Sequence, residues 1–493
     1  MKNLGELRDL VEGAYIIGDE NSEVSSIVHD SRKAQANSLF ACIKGHHVDG
    51  HKFIGSAKEN GATSIITDDE DAALPVGVNV LVVPNLAAAL RLIVPYFYDY
   101  PASKMRFIGV TGTNGKTSTT YLLKAIFTKM GFRVGVIGTI HIDVAGEILP
   151  ATNTTPDVID LQQILAYMVS KNIDYVIMEV SSHALALDRV AGISFQVGIF
   201  TNLTQDHLDF HKTMEEYAKA KAILFQGLAE DSTAIINADD SWAKAVLGES
   251  KARKFFYGIN SANLDIVAKN IELRRTGLQF SLGVGSTGEL PLTAKLTGLF
   301  NVYNILGSIG AAMAEGIPLS IIKEALSEFQ GVPGRLEILA TDTDFTVIVD
   351  YAHTPDGLEN ILLAAREITD NRVLTVFGCG GDRDNTKRPI MGRIAARLSD
   401  VVIVTSDNPR SEEPEAIISE IVAGLEEEIG EKEYYSLVGR EEAITKAALL
   451  ATPGDVVIIA GKGHENYQIL KDKTIHFDDK EVALNAVENL KSH

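Results

Sequence analysis

Residues 107–127 constrain the fold of this chain more than any other stretch. Phe107-Ile108-Gly109-Val110-Thr111 is a short apolar run, and Gly112-Thr113-Asn114-Gly115 is small and flexible. Lys116-Thr117-Ser118-Thr119-Thr120 then leads into a helical pattern, Tyr121-Leu122-Leu123-Lys124-Ala125-Ile126-Phe127. Strand, tight loop and helix in that order turn the backbone N–H groups of the loop and helix start toward an anion. A nucleoside triphosphate suits this geometry. Gly112 and Gly115 let the chain pass close to phosphates, Lys116 neutralises the outer ones, and the Thr117 hydroxyl is a Mg²⁺ ligand. The strict G-x-x-x-x-G-K-[ST] spacing needs glycine at 110, where this chain has Val110, so the stretch reads as a variant phosphate loop. A glycine turn with a chance Gly-Lys-Thr is the competing reading.

A chain of 493 residues exceeds one core and, at roughly 150 residues per domain, points to about three. Short apolar runs (Ser38–Ile43, Ala62–Thr67, Val78–Val83) alternate with helical stretches such as Leu86–Val94 over residues 1–100, a small α/β unit. Tyr100-Pro101-Ala102-Ser103 reads as a linker, since proline disfavours helix on its N-terminal side. Residues 101–332 form a central phosphate-loop domain with a mainly parallel sheet. Residues 333–493 alternate strands (Phe345–Val349, Val373–Phe377, Val401–Val404, Val456–Ile459) with helices, a Rossmann-like α/β domain. The expected fold class is therefore α/β in three domains.

Four further stretches carry candidate chemistry. Asp174–Val180 is a buried-strand pattern in which Glu179 stands at the end that faces the crevice of a parallel sheet, where a carboxylate holds Mg²⁺ or its water shell. A solvated strand end is the alternative. Thr201–His211 packs His207, His211, Asp206 and Asp209 behind another strand, a polar loop or a metal site. Phe377–Arg383 and Ile459–Glu465 are glycine-rich loops directly after strands, either ligand loops or plain turns.

The formal charge of −21, without a basic stripe, argues against a nucleic-acid partner. Cys42 and Cys379 make no disulfide or metal pattern, the N-terminus lacks the apolar region of a signal peptide, and no apolar run approaches the ~18 residues of a membrane span. A cytoplasmic protein with no membrane partner, and a monomer, is expected.

Gly112–Thr117, Glu179–His183, Thr201-Asn202-Leu203 with Asp206–Asp209, Asn301-Val302-Tyr303-Asn304 and Asp350–Pro355, in that order, resemble the successive signatures of the Mur ligases. These ATP-dependent enzymes build the peptide of bacterial cell-wall precursors. His29–Lys33 and Gly45–His51 resemble the branch, MurE, that adds the third amino acid to UDP-N-acetylmuramoyl-L-alanyl-D-glutamate. The resemblance implies an amide ligase acting through an acyl phosphate, with ATP as co-substrate, Mg²⁺ as cofactor, and a UDP-muramoyl-dipeptide and meso-diaminopimelate as substrates. It implies that Ser31, Thr154, Thr155, Ser182 and Arg189 hold the UDP-substrate, with Leu187 departing from a common glutamine. Gly112, Thr113, Asn114, Gly115, Lys116, Thr117, Asn301, Asn304, Arg335 and Asp350 would hold ATP. Thr117, Glu179, His207 and Lys221, the last as a carbamate, would hold metal; Lys116, Lys221 and His207 would be catalytic. Lys219, two residues from Lys221, keeps an ordinary solvated lysine open as the alternative. Arg383, Asp407, Asn408, Pro409, Arg410, Gly461 and Glu465 would form the amino-acid pocket. Asp-Asn-Pro-Arg is the form seen in diaminopimelate-adding members, and the planar fork of Arg410 would pair with the distal carboxylate that L-lysine lacks. A surface pair of Arg410 with Glu412 or Glu413 is the alternative. A lysine-adding ligase and a folylpolyglutamate synthase-like ligase are the competing activities; the ~100 residues before the phosphate loop argue against the latter.

Overall fold

Arg106–Thr111 lies mid-sheet because Phe107, Ile108 and Val110 are fully buried and need an apolar layer on each face. The structure, a computed structural model, describes residues 2–45, 48–69, 77–151, 153–285 and 288–491. Among these the central sheet has eleven strands. They run Glu147–Leu149, Ile142–Val144, Val134–Ile137, Tyr175–Glu179 and Arg106–Thr111, then Phe195–Phe200, Thr233–Asn237, Arg253–Gly258, Ile266–Arg274, Gly277–Val284 and Glu289–Ala294. Neighbours from Val134–Ile137 to Ile266–Arg274 are parallel, and antiparallel strands finish both edges. Helices Lys116–Met130 and Leu299–Ala314 pack with Ile108 and Val110 on one face, while Val158–Ser170 and Met214–Gln226 pack with Phe107 on the other. The alternation of side chains along the strand separates the two cores.

The N-terminal sheet runs Tyr15–Ile17, Asn79–Val82, Ala62–Thr67, Ser38–Ala41 and Ser26–Val28, parallel except for the first strand. Helix Leu86–Phe97 buries Leu86, Ala89, Leu90, Ile93 and Val94, a three-and-four spacing that makes one apolar stripe. That stripe shares a core with Ile159 of the central helix Val158–Ser170. Gln163 Nε2 donates to Ile27 O at 3.0 Å and Lys33 pairs with Asp160 at 3.2 Å across the same junction. The Pro101 stretch is a single tight turn, Pro101–Lys104, entered by Tyr100 at φ 48°.

The C-terminal sheet runs Glu337–Ile338, Thr346–Asp350, Val456–Ala460, Val373–Phe377, Val401–Thr405 and Glu433–Leu437, parallel except for the first. Asp350, Ala460, Phe377 and Thr405 thus end side by side, and the loops after them converge on one crevice. Strands therefore occur where alternating apolar runs place them, but Ser38–Ile43 leaves its strand at Ala41 as the chain turns for Gly50 N to reach Ile43 O. Among the described residues no helix is long and apolar enough to cross a membrane.

Candidate active site

The phosphate loop joins the C-terminal end of Arg106–Thr111 to helix Lys116–Met130. Val110 still lies within the strand, in register with Glu179 and Ile199, so the tight turn begins after it and position 110 needs no glycine. Gly115 is left-handed at φ 86°, and a Cβ there would collide with Asn304 Oδ1. No side chain caps the helix, which leaves its first N–H groups free for an anion. Lys116 Nζ curls back to donate to Gly112 O (3.0 Å) and Thr113 O (2.8 Å), and burial lowers its pKa.

A cavity of about 430 Å³ opens above this loop. Thr113 to Thr117 line it from the central sheet, joined by Glu179, Asn304, Arg335 and Asp350. Glu179 accepts from Thr139 N (2.9 Å) and Thr139 Oγ1 (3.0 Å), so its carboxylate is held at the strand end. Arg335, from the segment entering the C-terminal sheet, donates to Thr117 Oγ1 at 3.2 Å. Asp350 accepts from Leu336 N (2.6 Å) and Ala352 N (2.7 Å), and burial raises its pKa.

A second cavity, about 390 Å³, adjoins the first through five shared residues: Thr154, Asp206, His207, Tyr351 and His353. Thr155 and Arg189 line it from the central domain, with Arg189 Nη1 donating to Thr155 O at 3.2 Å. Arg383, Asp407, Asn408, Arg410, Gly461 and Glu465 line it from the C-terminal crevice. Arg410 is left-handed at φ 54° and donates through Nη1 to Gly381 O (2.8 Å) and Asn408 O (3.3 Å). Burial and the nearby Arg383 lower its pKa. The pairing with Glu412 or Glu413 is absent: Glu412 forks with Arg388 at 2.9 Å, and Glu413 pairs with Lys471 at 2.9 Å. Asn408 donates to Glu465 Oε2 at 2.9 Å, which orients two of these side chains together.

The two lysines of helix Met214–Gln226 differ sharply. Lys219 is exposed and pairs with Glu216, whereas Lys221 is 1% exposed. Lys221 Nζ donates to Gly112 O at 2.8 Å and lies 4.4 Å from the centre of the Tyr217 ring. Burial and the repulsion of Lys116 push its pKa well below the usual lysine value. His207 sits before helix Leu208–His211 at φ 55°, its Nε2 3.3 Å from Asp206 Oδ2, and burial holds its pKa at about 3.

Other expected residues lie apart from these cavities. Ser31 is buried in the N-terminal unit, where its carbonyl accepts from Asn60 Nδ2 at 3.0 Å. Asn301 donates to Thr297 O at 2.8 Å and lines a neighbouring cavity of about 260 Å³. Ser182 Oγ meets His211 Nε2 at 2.8 Å, and Leu187 is exposed at a helix end. Pro409 supports the turn without lining either cavity, while His46 and His47 fall outside the described residues. Two residues at the junction escaped the sequence reading: Tyr351, beneath Arg335 at 4.3 Å, and His353, whose Nδ1 donates to Tyr351 O at 2.8 Å. Both stand in the Asp350–Pro355 stretch, so proximity to Asp350 was the available signal.

Family models match most of the N-terminal, central and C-terminal sheets. Residues 23–98 match the model described as Mur ligase family, catalytic domain, residues 110–312 the Mur ligase middle domain, and residues 334–463 the Mur ligase, glutamate ligase domain. A Clostridium botulinum protein named UDP-N-acetylmuramoyl-L-alanyl-D-glutamate--2,6-diaminopimelate ligase is 46% identical over 97% of this chain and 98% of its own length. A solved structure of the same name aligns with a TM-score of 0.66 at 30% identity, covering 100% of this chain and 99% of that one. Mycobacterium tuberculosis folylpolyglutamate synthase shares the fold, with a TM-score of 0.64 at 18% identity over 82% of this chain and 95% of its own. A phosphate loop facing a C-terminal crevice, together with near-half identity along the whole length of such a relative, makes this chain a member of the Mur ligase family.

Proposed function

We propose that this chain joins meso-diaminopimelate to UDP-N-acetylmuramoyl-L-alanyl-D-glutamate at the expense of ATP, a step in making peptidoglycan precursors. The observation that carries the reading is the meeting of two cavities at Thr154, Asp206, His207, Tyr351 and His353, one lined by a phosphate loop and one by paired arginines. At the first, Thr113 to Thr117 and Arg335 hold the ATP phosphates, with Gly112 outside the lining, and Asn304 and Asp350 hold the nucleoside, with Asn301 in the neighbouring cavity. At the second, Thr154, Thr155 and Arg189 hold the muramoyl-peptide, with Ser182 outside the lining, while Arg383, Asp407, Asn408, Arg410, Gly461 and Glu465 hold the amino acid and Pro409 shapes their turn. Ser31 holds the uridine end.

The D-glutamyl carboxylate attacks the γ-phosphorus, the bond to the β-phosphate oxygen breaks, and ADP leaves an acyl phosphate. The amine then attacks the acyl carbon and loses a proton, and phosphate departs with the bonding pair. Lys116 offsets the charge on the transferring group, and closure of the C-terminal domain over the junction would exclude water that would hydrolyse the intermediate. Thr117, Glu179 and His207 would hold Mg²⁺; the Thr117 hydroxyl and the Glu179 carboxylate are hard oxygen donors of the kind that ion prefers. Mg²⁺, when bound, neutralises charge on the phosphoryl oxygens. Lys221, buried and easily deprotonated, suits conversion to a carbamate by CO₂, which adds an anionic oxygen donor.

Domain boundaries near residues 100 and 332, a monomeric state and a cytoplasmic location complete the proposal. Phosphate release measured over a panel of amino acids tests it. Release is expected when ATP, Mg²⁺, the UDP-muramoyl-dipeptide and meso-diaminopimelate are all present. Slow release that ignores the amino acid would instead identify a nucleotide-driven switch.

A further inference from the structure

Asp407 and Glu465 line the same cavity as Arg410 without an ion pair to it, and three further acids, Asp382, Glu412 and Glu413, flank it in the chain or across the turn and are engaged elsewhere. Asp382 accepts from Ser411 Oγ at 2.6 Å and Ser411 N at 3.2 Å. Glu413 pairs with Lys471 on the surface at 2.9 Å. Glu412 is held differently: Asp382 N donates to its Oε1 at 2.6 Å, and a buried cation grips both of its oxygens. Arg388, 1% exposed, donates from Nη1 to Glu412 Oε2 and from Nη2 to Glu412 Oε1, both at 2.9 Å. Its Nη1 also reaches Glu420 Oε2 at 3.0 Å. Two parallel N–H···O bonds to one carboxylate form the strongest ion-pair geometry available to a side chain.

Glu412 and Arg410 flank the same short segment. A Cβ on Gly381 would lie 3.3 Å from Glu412 Cβ, and one on Gly380 would lie 2.9 Å from Arg410 Nη1. Glu412 follows Arg410 by two residues on that segment, so a freed Glu412 carboxylate stands beside Arg410 in the chain. Among the described residues no carboxylate forms an ion pair with Arg410, whose Nη1 donates to the backbone carbonyls of Gly381 and Asn408. Arg388 and Glu412 line neither cavity.

We propose that Arg388 is a positioning residue for amino-acid specificity: by sequestering Glu412 it keeps Arg410 free to bind a carboxylate of the incoming amino acid. The inference rests on the proposed ligase reading. It assigns this half-buried ion pair a purpose that packing alone does not supply, since such a pair is by itself weak evidence for stability.

Four full-length proteins test it: wild type, Arg388→Gln, Glu412→Gln and the double variant, assayed by phosphate release at varied meso-diaminopimelate. Arg388→Gln is expected to raise KM for meso-diaminopimelate by about tenfold or more while KM for ATP stays within about twofold, because the liberated Glu412 competes for Arg410. Glu412→Gln alone is expected to leave KM within about threefold, and the double variant to return to that level, because the competing charge is gone. A double variant as impaired as Arg388→Gln, or an unaltered KM in Arg388→Gln, overturns the proposal. Where Arg388→Gln does not fold, Glu412→Asp replaces it. The shortened carboxylate leaves the fork but keeps its charge, so Asp is expected to raise KM more than Gln does, and the reverse order overturns the proposal. Wild type that releases no phosphate with meso-diaminopimelate rejects the ligase reading itself, whereas active wild type with the wrong variant pattern rejects the role of Arg388 alone.

Discussion

Replacing Arg410 by alanine removes the side chain on which the proposed choice of amino acid turns. Its guanidinium faces the 390 Å³ cavity with no acid paired to it, so the bound substrate's distal carboxylate would be its first anionic partner. Truncating one member of a buried charge pair costs roughly 2–5 kcal/mol, and each 1.4 kcal/mol is about tenfold, a span of about 30-fold to several thousandfold. Arg410 is only half-buried, which places the expectation near the lower limit. KM for meso-diaminopimelate should therefore rise by about 10- to 30-fold. KM for ATP should hardly change, since Arg410 does not line the phosphate-loop cavity. Arg410→Lys keeps the charge but loses the planar fork, and it should fall between wild type and Arg410→Ala. Initial rates of phosphate release at saturating UDP-muramoyl-dipeptide, with each other substrate varied in turn, separate the two constants. Equal rises in both would mean that alanine had merely loosened the turn held through Gly381 O and Asn408 O. Wild type that used L-lysine as well as meso-diaminopimelate would refute the specificity argument outright.

Four further outcomes are expected. Lys116→Ala should lose orders of magnitude in turnover while its thermal unfolding stays near wild type, and near-normal turnover would remove the phosphate-loop assignment. Lys221→Ala should lose activity that a small carboxylate added to the assay partly restores, with Lys219→Ala close to wild type; the opposite pattern would misassign the carbamate. Asp479→Ala should strand Arg440, since both are 0% exposed and paired at 2.7 Å. Breaking such a pair costs roughly 3–5 kcal/mol, or about 6–20 °C in the Tm of a domain of this size, and a calorimetric shift below about 3 °C would contradict it. His353 and His464 are held down to about 4 and about 3 by burial, so the unfolded chain binds more protons below its ordinary histidine pKa. Stability should therefore fall steadily as pH drops from about 6.5 toward 3, and His464→Gln should flatten that slope over its whole range in thermal melts.

Local pattern carried much of the architecture. Val373–Phe377 is read to the residue, and Val456–Ala460 and Val401–Thr405 to within one, because a strand buried on both faces is an unbroken apolar run bounded by turns. The phosphate loop was equally plain, since its glycines and Lys116 must be contiguous to wrap an anion. Contacts between distant segments were not. Asn114 Nδ2 donates to Asp356 Oδ2 at 2.6 Å across 242 residues, and no periodicity encodes that meeting.

The fates of similar side chains show the same division. Lys219 and Lys221 both stand on one helix, and residue type alone does not distinguish them; the packing of that helix on Phe107 buries one and leaves the other in water. Arg410 has two glutamates beside it in the chain, a pattern that reads naturally as a surface pair. The fold brings Arg388 to Glu412 and Lys471 to Glu413 instead. Sequence alone thus determined the α/β class, the anion loop and the order of strands along the chain, all set by backbone conformation and short-range patterning. Only the tertiary structure decided which charges are buried, which are neutralised, and which face the cavities, because burial and pairing depend on segments tens to hundreds of residues apart being held within a few ångströms.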